Sequence, residues 1–291
     1  MSKVLVVGDI MVDQYIFVET NRTAPEARIP VWDEKRKETR PGGAANVARN
    51  LRALGDIEVS LAGLTDFVSQ EMIGYHDIDV SMCTGNQTMY KRRYIGPDGE
   101  HLFRHDNFLK FKADVPYFAE RLKRDLSDQY EIVVISDYDK GTVTDEVVDV
   151  IRSVHKGPVV VDSKRHDLRI FSGFTILKVN EHEYDVQLSS PYYSHVESLF
   201  DYVVVTKGAR GAELRQRDPI KDNDIRYVIH SEKFAISPVK AKDVTGCGDT
   251  HTAAMAFSLM QNPDMRQAVK FANHCAREVV QKFGTSVPNK V

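Results

Sequence analysis

Apolar positions along this chain follow two periods in turn. Val4 to Val7 is a continuous apolar run, the length of a strand buried on both faces. Ala44, Val47, Leu51 and Leu54 then recur at steps of three and four, which predicts a helix closed by Gly55. The alternation continues downstream. Val59 to Ala62 predicts a strand, and Val115, Phe118, Leu122 and Leu126 a helix. Ile132 to Ile135 predicts a buried strand, and Val143, Val147, Ile151 and Val154 a further helix. Strands are expected at Val159 to Val161, Phe174 to Val179 and Tyr202 to Val205. Two helices, Thr250 to Met260 and Met265 to Lys282, close the pattern. Strands alternating with helices predict an α/β fold, doubly wound around a mainly parallel sheet, over a single domain spanning 1–291.

Two segments interrupt this rhythm. Residues 13–40 are mixed polar and aromatic, with Val18, Ile29 and Val31 at strand-like spacing. Residues 88–106 hold two extended runs around Gly96-Pro97-Asp98-Gly99, a hairpin turn signal. Both read as strands of a small accessory sheet over one end of the main one; long surface loops are the alternative.

Composition narrows the partners. The 291 residues are 42% hydrophobic and 28% charged, enough to bury a sizeable core. Lys and Arg number 39 against 42 Asp and Glu, a formal charge of −3, so neither a nucleic acid nor a membrane surface is an expected partner. No stretch approaches the ~20 apolar residues that cross a bilayer, and the first apolar run is too short for a secretory signal. Cys83, Cys247 and Cys275 form no CxxC pair and no metal spacing, which suits a reducing, cytoplasmic location.

Three segments carry candidate chemistry. In Asp243-Val244-Thr245-Gly246-Cys247-Gly248-Asp249-Thr250, two glycines one residue apart precede an apolar helix. Backbone amides can turn there toward one point, and the helix N-terminus adds positive potential, which suits a phosphate. Asp249 beside it could take a proton from an attacking hydroxyl. The same residues would also serve as a glycine-rich turn with Asp249 as a helix cap. Arg40-Pro41-Gly42-Gly43-Ala44-Ala45-Asn46 permits close approach of a ligand to the backbone, and Asn46 offers donor and acceptor groups suited to sugar hydroxyls. Tight helix packing explains the small residues equally well. Gly8 to Asp13 ends the first strand, at the edge where open α/β sheets bind ligands. The dinucleotide, Walker, HExxH and GxSxG signatures are absent. The ten histidines show no ligand spacing, and His251 reads as a residue of the first helical turn.

The order of these segments resembles the ribokinase-like (phosphofructokinase-B) family of carbohydrate kinases over essentially the whole chain. The resemblance implies a doubly wound α/β domain with a small β-sheet lid, in which Asp249 is the catalytic base and Gly246, Cys247 and Gly248 form an anion hole. Cys247 stands where alanine is usual, which leaves the backbone amide in place. Asn180-Glu181-His182-Glu183 fits an Asn-x-x-Glu segment, implying phosphate or nucleotide handling by Asn180 and magnesium handling by Glu183. Thr206, Gly208 and Gly211 fit a Thr-x-Gly-x-x-Gly segment near the nucleotide, and Asn273 lies in the helix that borders adenine. Asp13, Gly42, Gly43 and Asn46 match sugar-binding positions. ATP as co-substrate and Mg²⁺ follow from the family, and an exposed lid sheet invites pairing with a second copy, a homodimer through the lid.

Within the family the chain is similar to the heptose kinase part of ADP-heptose synthases, which phosphorylates D-glycero-D-manno-heptose 7-phosphate at O1. The likeness rests on residues 22–27, 40–48, 136–141 and 282–285. Arg28 stands where that group has proline, and Asp139 where it has alanine. No counterpart of the nucleotidyltransferase half of bifunctional members is expected. A phosphorylated sugar would need cations near the lid, and Lys91, Arg92, Arg93 and Arg104 are available, with solvated charges on an exposed lid as the alternative; Asp137 and Lys140 fall at the ligand edge. The alternatives are a kinase for an unphosphorylated sugar or a nucleoside, and a non-catalytic sugar-binding protein, against which the intact Asp249 and its glycines argue.

Overall fold

The computed structural model describes residues 2–108, 114–127, 129–189, 196–219 and 227–290. In chain order the elements are β1 (Lys3–Gly8), β2 (Ile10–Thr23), β3 (Pro30–Gly43), α1 (Ala44–Leu54), β4 (Glu58–Leu64), α2 (Phe67–Gly74) and β5 (Asp79–Thr84). There follow β6 (Met89–Ile95), β7 (His101–Asn107), α3 (Val115–Asp125), β8 (Ile132–Asp137), α4 (Asp145–Val154), β9 (Val159–Ser163), β10 (Ile176–Asn180) and α5 (Glu181–Leu188). The chain continues with β11 (Tyr202–Thr206), β12 (Ala212–Pro219), β13 (Tyr227–Phe234), α6 (Cys247–Gln261) and α7 (Met265–Val279).

A nine-stranded sheet runs β13-β12-β11-β10-β9-β8-β1-β4-β5. The seven strands from β11 to β5 are parallel, and β12 and β13 add an antiparallel edge. Alternate residues of β1 face opposite cores, as period two requires. Leu5 and Val7 join Val133, Ile135, Phe118, Leu122, Val147 and Ile151 on one face. Val4 and Val6 join Val134, Val47, Leu51, Ala253 and Ala272 on the other. The chain leaves β1 toward β4 on one side and later resumes at β8 on the other. The switch point therefore lies between β1 and β8, where ligands enter open α/β sheets.

A second sheet of four strands, β3-β2-β6-β7, is built from the two interrupting segments. The strands extend slightly beyond the expected 13–40 and 88–106, and the hairpin falls where Gly96 to Gly99 predicts it. Arg28 closes the β2–β3 turn with φ of 50° and its amide on the Ala24 carbonyl at 2.9 Å. Proline fixes φ near −65° and has no amide, so this turn needs another residue there.

Candidate active site

The switch point is organised by Asp9. Its buried carboxylate accepts the amides of Tyr138, Lys140 and Thr142 at 2.8, 3.0 and 3.1 Å, tying the loop after β8 to the end of β1. Its carbonyl accepts the Ala44 amide at 3.0 Å and so starts α1. Gly43 makes this approach possible: its φ is 57°, and a Cβ there would run into the Asp9 carbonyl. The first turn of α1 then presents Asn46.

Opposite Asn46, α6 begins at Gly246 with φ of 80°. The amides of Gly246, Gly248 and Asp249 have no partner among the described residues, whereas the Cys247 amide bonds back to the Val244 carbonyl at 3.3 Å. The turn thus leaves the amides of 246, 248 and 249 available to an anion. The expected contribution of the Cys247 amide is drawn into the turn itself. Burial pushes the Cys247 thiol up to about 11, so it is neutral at pH 7.

Asp249 is 6% exposed. Asn46 Nδ2 donates to one carboxylate oxygen at 2.8 Å and the Tyr138 hydroxyl to the other at 2.6 Å. Burial raises its pKa above the ordinary aspartate value, and these two neutral donors only partly offset that. Tyr138 is itself held well above the usual phenol range by burial and by the Asp249 charge, so it donates and does not titrate.

Beneath the turn lies a set of charges that the sequence patterns did not announce. Lys178, 2% exposed in the middle of β10, is the register partner of Asp162 in β9, and Nζ lies 2.8 Å from its carboxylate. Lys164 and the Thr252 hydroxyl also reach Asp162, at 3.1 and 2.9 Å. Although burial opposes it, the two ammonium groups hold the Asp162 carboxyl far below the usual range. The Lys178 ammonium reaches the anion turn: a Cβ on Gly248 would stand 3.0 Å from it. An apolar strand interrupted by one lysine, beside a valine run that closes on aspartate and serine, was the available signal.

Behind the turn opens a cavity of about 290 Å³. It brings together Thr206, Gly208, Gly211 and Asn273, the expected nucleotide-side residues, with Cys247 and Gly248. Its walls are largely apolar, including Ile236, Val239 and Val280. Asn180 is not among its lining residues. Instead Asn180 and Glu183 form the capping box of α5: Asn180 Oδ1 accepts the Glu183 amide at 2.9 Å, and Glu183 returns a carboxylate oxygen to the Asn180 amide at 2.8 Å. The other Glu183 oxygen pairs with Lys164 at 2.8 Å. Among the described residues no three His, Cys, Asp or Glu side chains converge on a metal position. Glu183, the residue expected to handle magnesium, serves in this structure as a helix cap and an ion-pair partner.

The small sheet supplies the remaining wall. Asp13 is buried and paired with Arg93, and a Cβ on Gly42 would run into the Asp13 carboxylate. Lys91, two residues before Arg93, lies with Nζ 4.5 Å from the centre of the Tyr138 ring. Burial lowers its pKa, opposed by the charges of Asp13 and Asp249. Arg104 is the register partner of Arg93, but its side chain is 58% exposed and paired with Asp106 at 2.9 Å. Two expected ligands are not brought to this group. Asp137 is fully buried and committed to Arg165 at 2.6 Å and Ser163 at 2.8 Å. Lys140 sets Nζ 4.3 Å from the Phe108 ring centre and lines a neighbouring cavity with Arg165.

One further segment joins both walls. Arg40 donates to the carbonyls of Phe283 and Thr285 at 2.9 and 3.1 Å, and the Tyr15 hydroxyl accepts the Thr285 amide at 2.9 Å. Between them the Gly284 amide reaches Asp243, at the head of the anion turn, at 2.9 Å. Gly284 has φ of 68°, and a Cβ would stand 2.7 Å from the Arg40 guanidinium.

A parallel sheet with a second small sheet over its switch point, and a buried carboxylate beside free helix-terminal amides, define a ribokinase-like α/β architecture. The same fold is found in a nucleoside kinase from Methanocaldococcus jannaschii, with a TM-score of 0.71 at 19% identity, covering 100% of this chain and 95% of that one. It is also found in phosphofructokinase-2 from Escherichia coli, with a TM-score of 0.75 at 17% identity, covering 99% and 96%. The pfkB family carbohydrate kinase profile matches residues 1–291, and the chain belongs to that family; it is a sugar kinase. Relatives named bifunctional protein HldE are 33% identical in Coxiella burnetii, over 98% of this chain and 61% of that protein, and 32% identical in Shewanella sediminis, over 100% and 62%. The chain thus spans about three-fifths of the length of these curated relatives.

Proposed function

We propose that this protein transfers the γ-phosphate of ATP to a hydroxyl of a sugar phosphate, with O1 of D-glycero-D-manno-heptose 7-phosphate as the substrate. The observation that carries the reading is Asp249: a buried, pKa-raised carboxylate beside unpartnered amides, between Asn46 on one side and a largely apolar cavity on the other. The sugar sits against Asp13, Gly43 and Asn46, and ATP fills the cavity behind the anion turn. Asp249 takes the proton from the sugar hydroxyl. The oxygen attacks the γ-phosphorus, the bond to the β–γ bridging oxygen breaks, and ADP leaves with that electron pair. The amides of 246, 248 and 249 and the unused donors of Lys178 hold the equatorial oxygens as charge builds. Mg²⁺ entering with ATP would balance the phosphate charge, and Glu183 would reach it directly or through water.

Heptose 7-phosphate is favoured over a bare sugar by the likeness of residues 22–27, 40–48 and 282–285 to heptose kinases, and by Lys91 and Arg104 on the small sheet. Arg93, by contrast, is engaged by Asp13, so its effect on substrate passes through that carboxylate. The small sheet acts as a lid that excludes water, and its exposed side pairs with a second copy. Three free thiols suit a cytoplasmic location. An ADP-release assay over a sugar panel tests the reading. Turnover with heptose 7-phosphate far above that with free heptose, hexoses and nucleosides is expected. A preference for an unphosphorylated sugar or a nucleoside overturns the substrate, and ADP release with none of them overturns the catalytic reading. Light scattering of a monomer at micromolar concentration removes the dimer.

A further inference from the structure

Two ammonium groups share the Asp162 carboxylate, and the transfer step above uses one of them. Lys178 takes Oδ2 at 2.8 Å and Lys164 takes Oδ1 at 3.1 Å. They differ in access: the Lys178 side chain is 2% exposed, that of Lys164 31%. Lys164 follows β9 directly, with its amide on the Asp137 carbonyl at 2.9 Å, so it stands at the sheet edge where open α/β folds bind ligands. Its Nζ lies 5.9 Å from the centre of the Tyr138 ring, whose hydroxyl donates to Asp249. Through Asp162 it is one carboxylate away from Lys178, whose Nζ borders Gly248 of the anion turn. Lys164 is thus bracketed by the base on one side and the turn on the other. An ammonium carries three hydrogens. Asp162 and Glu183 take two of them, the second at 2.8 Å, and no third acceptor is bonded among the described residues. Burial works against the charge, but the Asp162 and Glu183 carboxylates outweigh it and hold the ammonium above the usual lysine range.

Resting on the placement of ATP behind the anion turn, we infer that Lys164 is a further catalytic residue: its third N–H donates to a non-bridging oxygen of the γ-phosphoryl group while that group passes from ADP to the sugar. No bond to Lys164 forms or breaks. The proton of the sugar hydroxyl still goes to Asp249, and the electron pair of the broken P–O bond still leaves with ADP; the ammonium supplies fixed positive charge where negative charge builds. With two of its hydrogens held by carboxylates, its direction is set before ATP arrives, so little reorganisation accompanies transfer. Lys91, from the small sheet, lies 4.5 Å from the same Tyr138 ring. The two lysines then divide the phosphates between them, Lys91 reading the acceptor's and Lys164 the donor's.

Nucleotide titration separates this contact from a purely structural role. The probes are the magnesium salts of ADP and β,γ-imido ATP, titrated calorimetrically into wild type and Lys164→Met. The variant is expected to bind ADP within about twofold of wild type and the imido analogue about 10- to 100-fold more weakly. Its kcat should fall about 10²- to 10³-fold with KM for the sugar phosphate nearly unchanged, and Lys164→Arg, which keeps the charge, should recover part of that loss. If Lys164 serves only to hold Asp162 and Glu183, both nucleotides weaken together. That result, an imido analogue bound as in wild type, or a kcat that stays near wild type overturns the inference. If Lys164→Met does not fold, crystals of wild type grown with the imido analogue decide: Nζ within hydrogen-bond distance of a γ-phosphate oxygen is expected, and Nζ turned away from it overturns the inference. Wild type that binds neither nucleotide sinks the placement of ATP and this contact with it, a result distinct from nucleotide binding that ignores Lys164.

Discussion

The two walls of the site are wired differently. On the large sheet, Asp162 is shared by Lys164, Lys178 and Thr252, a carboxylate with three donors and almost no access to water. On the small sheet, Asp13 has Arg93 as its ionic partner, Lys91 lies against the Tyr138 ring, and the half-exposed Arg104 pairs only with Asp106 among the described residues. The first wall is fixed before any ligand arrives. The second keeps charge in reserve for one. Asp249 stands between them, and its contrast with Asp162 is instructive: two buried aspartates whose environments drive their pKa values in opposite directions. Charged donors keep Asp162 ionised as a counter-charge, whereas Asp249, given only neutral donors, is left basic enough to take a proton.

The sharpest way to break this comparison is Asp249→Asn. Turnover should fall by about 10²- to 10⁴-fold with ADP affinity kept, read by steady-state kinetics and calorimetry. Near-normal turnover would move the base elsewhere. Next in size, Asp162→Asn leaves the buried Lys178 without its counter-charge and should cost about 3–5 kcal/mol in denaturant unfolding. Lys178→Met should cost less, because Asp162 keeps two donors. Since the Asp162 pKa is depressed on folding, its contribution is present above the unfolded value, about pH 4, and is lost as pH falls. The Asn variant should therefore lose part of the acid sensitivity of wild type. On the other wall, Lys91→Ala and Arg104→Ala should raise KM for the sugar phosphate about tenfold while leaving KM for ATP nearly unchanged. Equal effects on both substrates would show that these cations do not read a sugar's phosphate. The smallest effect is expected from Tyr138→Phe. Removing a donor that lowers the Asp249 pKa should displace the acid limb of the rate profile further upward, and a downward displacement would contradict the assigned role.

The alternation of periods made the parallel strands and the larger helices legible, because each buries a continuous run or stripe. What stayed hidden were elements with weaker patterns. The short helix α2 leaves Phe67 and Val68 exposed and so shows no clean apolar face. Strand β12 alternates buried Ala212 and Leu214 with Glu213 and Arg215, which bond each other at 3.0 Å and resemble a loop when read alone. The glycine turns and Asp249 were visible because their chemistry is local in sequence. Tyr138, Asp162, Lys164 and Lys178 were not, because their meaning comes from contacts across strands. The Asn-x-x-Glu segment adds a local role that the family resemblance did not announce: it caps α5.

The glycine-centred stretch from Phe283 to Thr285 has a mechanical consequence. Its bonds to Arg40 and Tyr15 grip the small sheet, and its bond to Asp243 grips the segment leading into α6. It is a tie rod: any swing of the upper strands pulls on the place where phosphate would rest, so engagement of one half of the reaction is felt by the other. Shortening or stiffening that rod at Gly284 would detune both ends together.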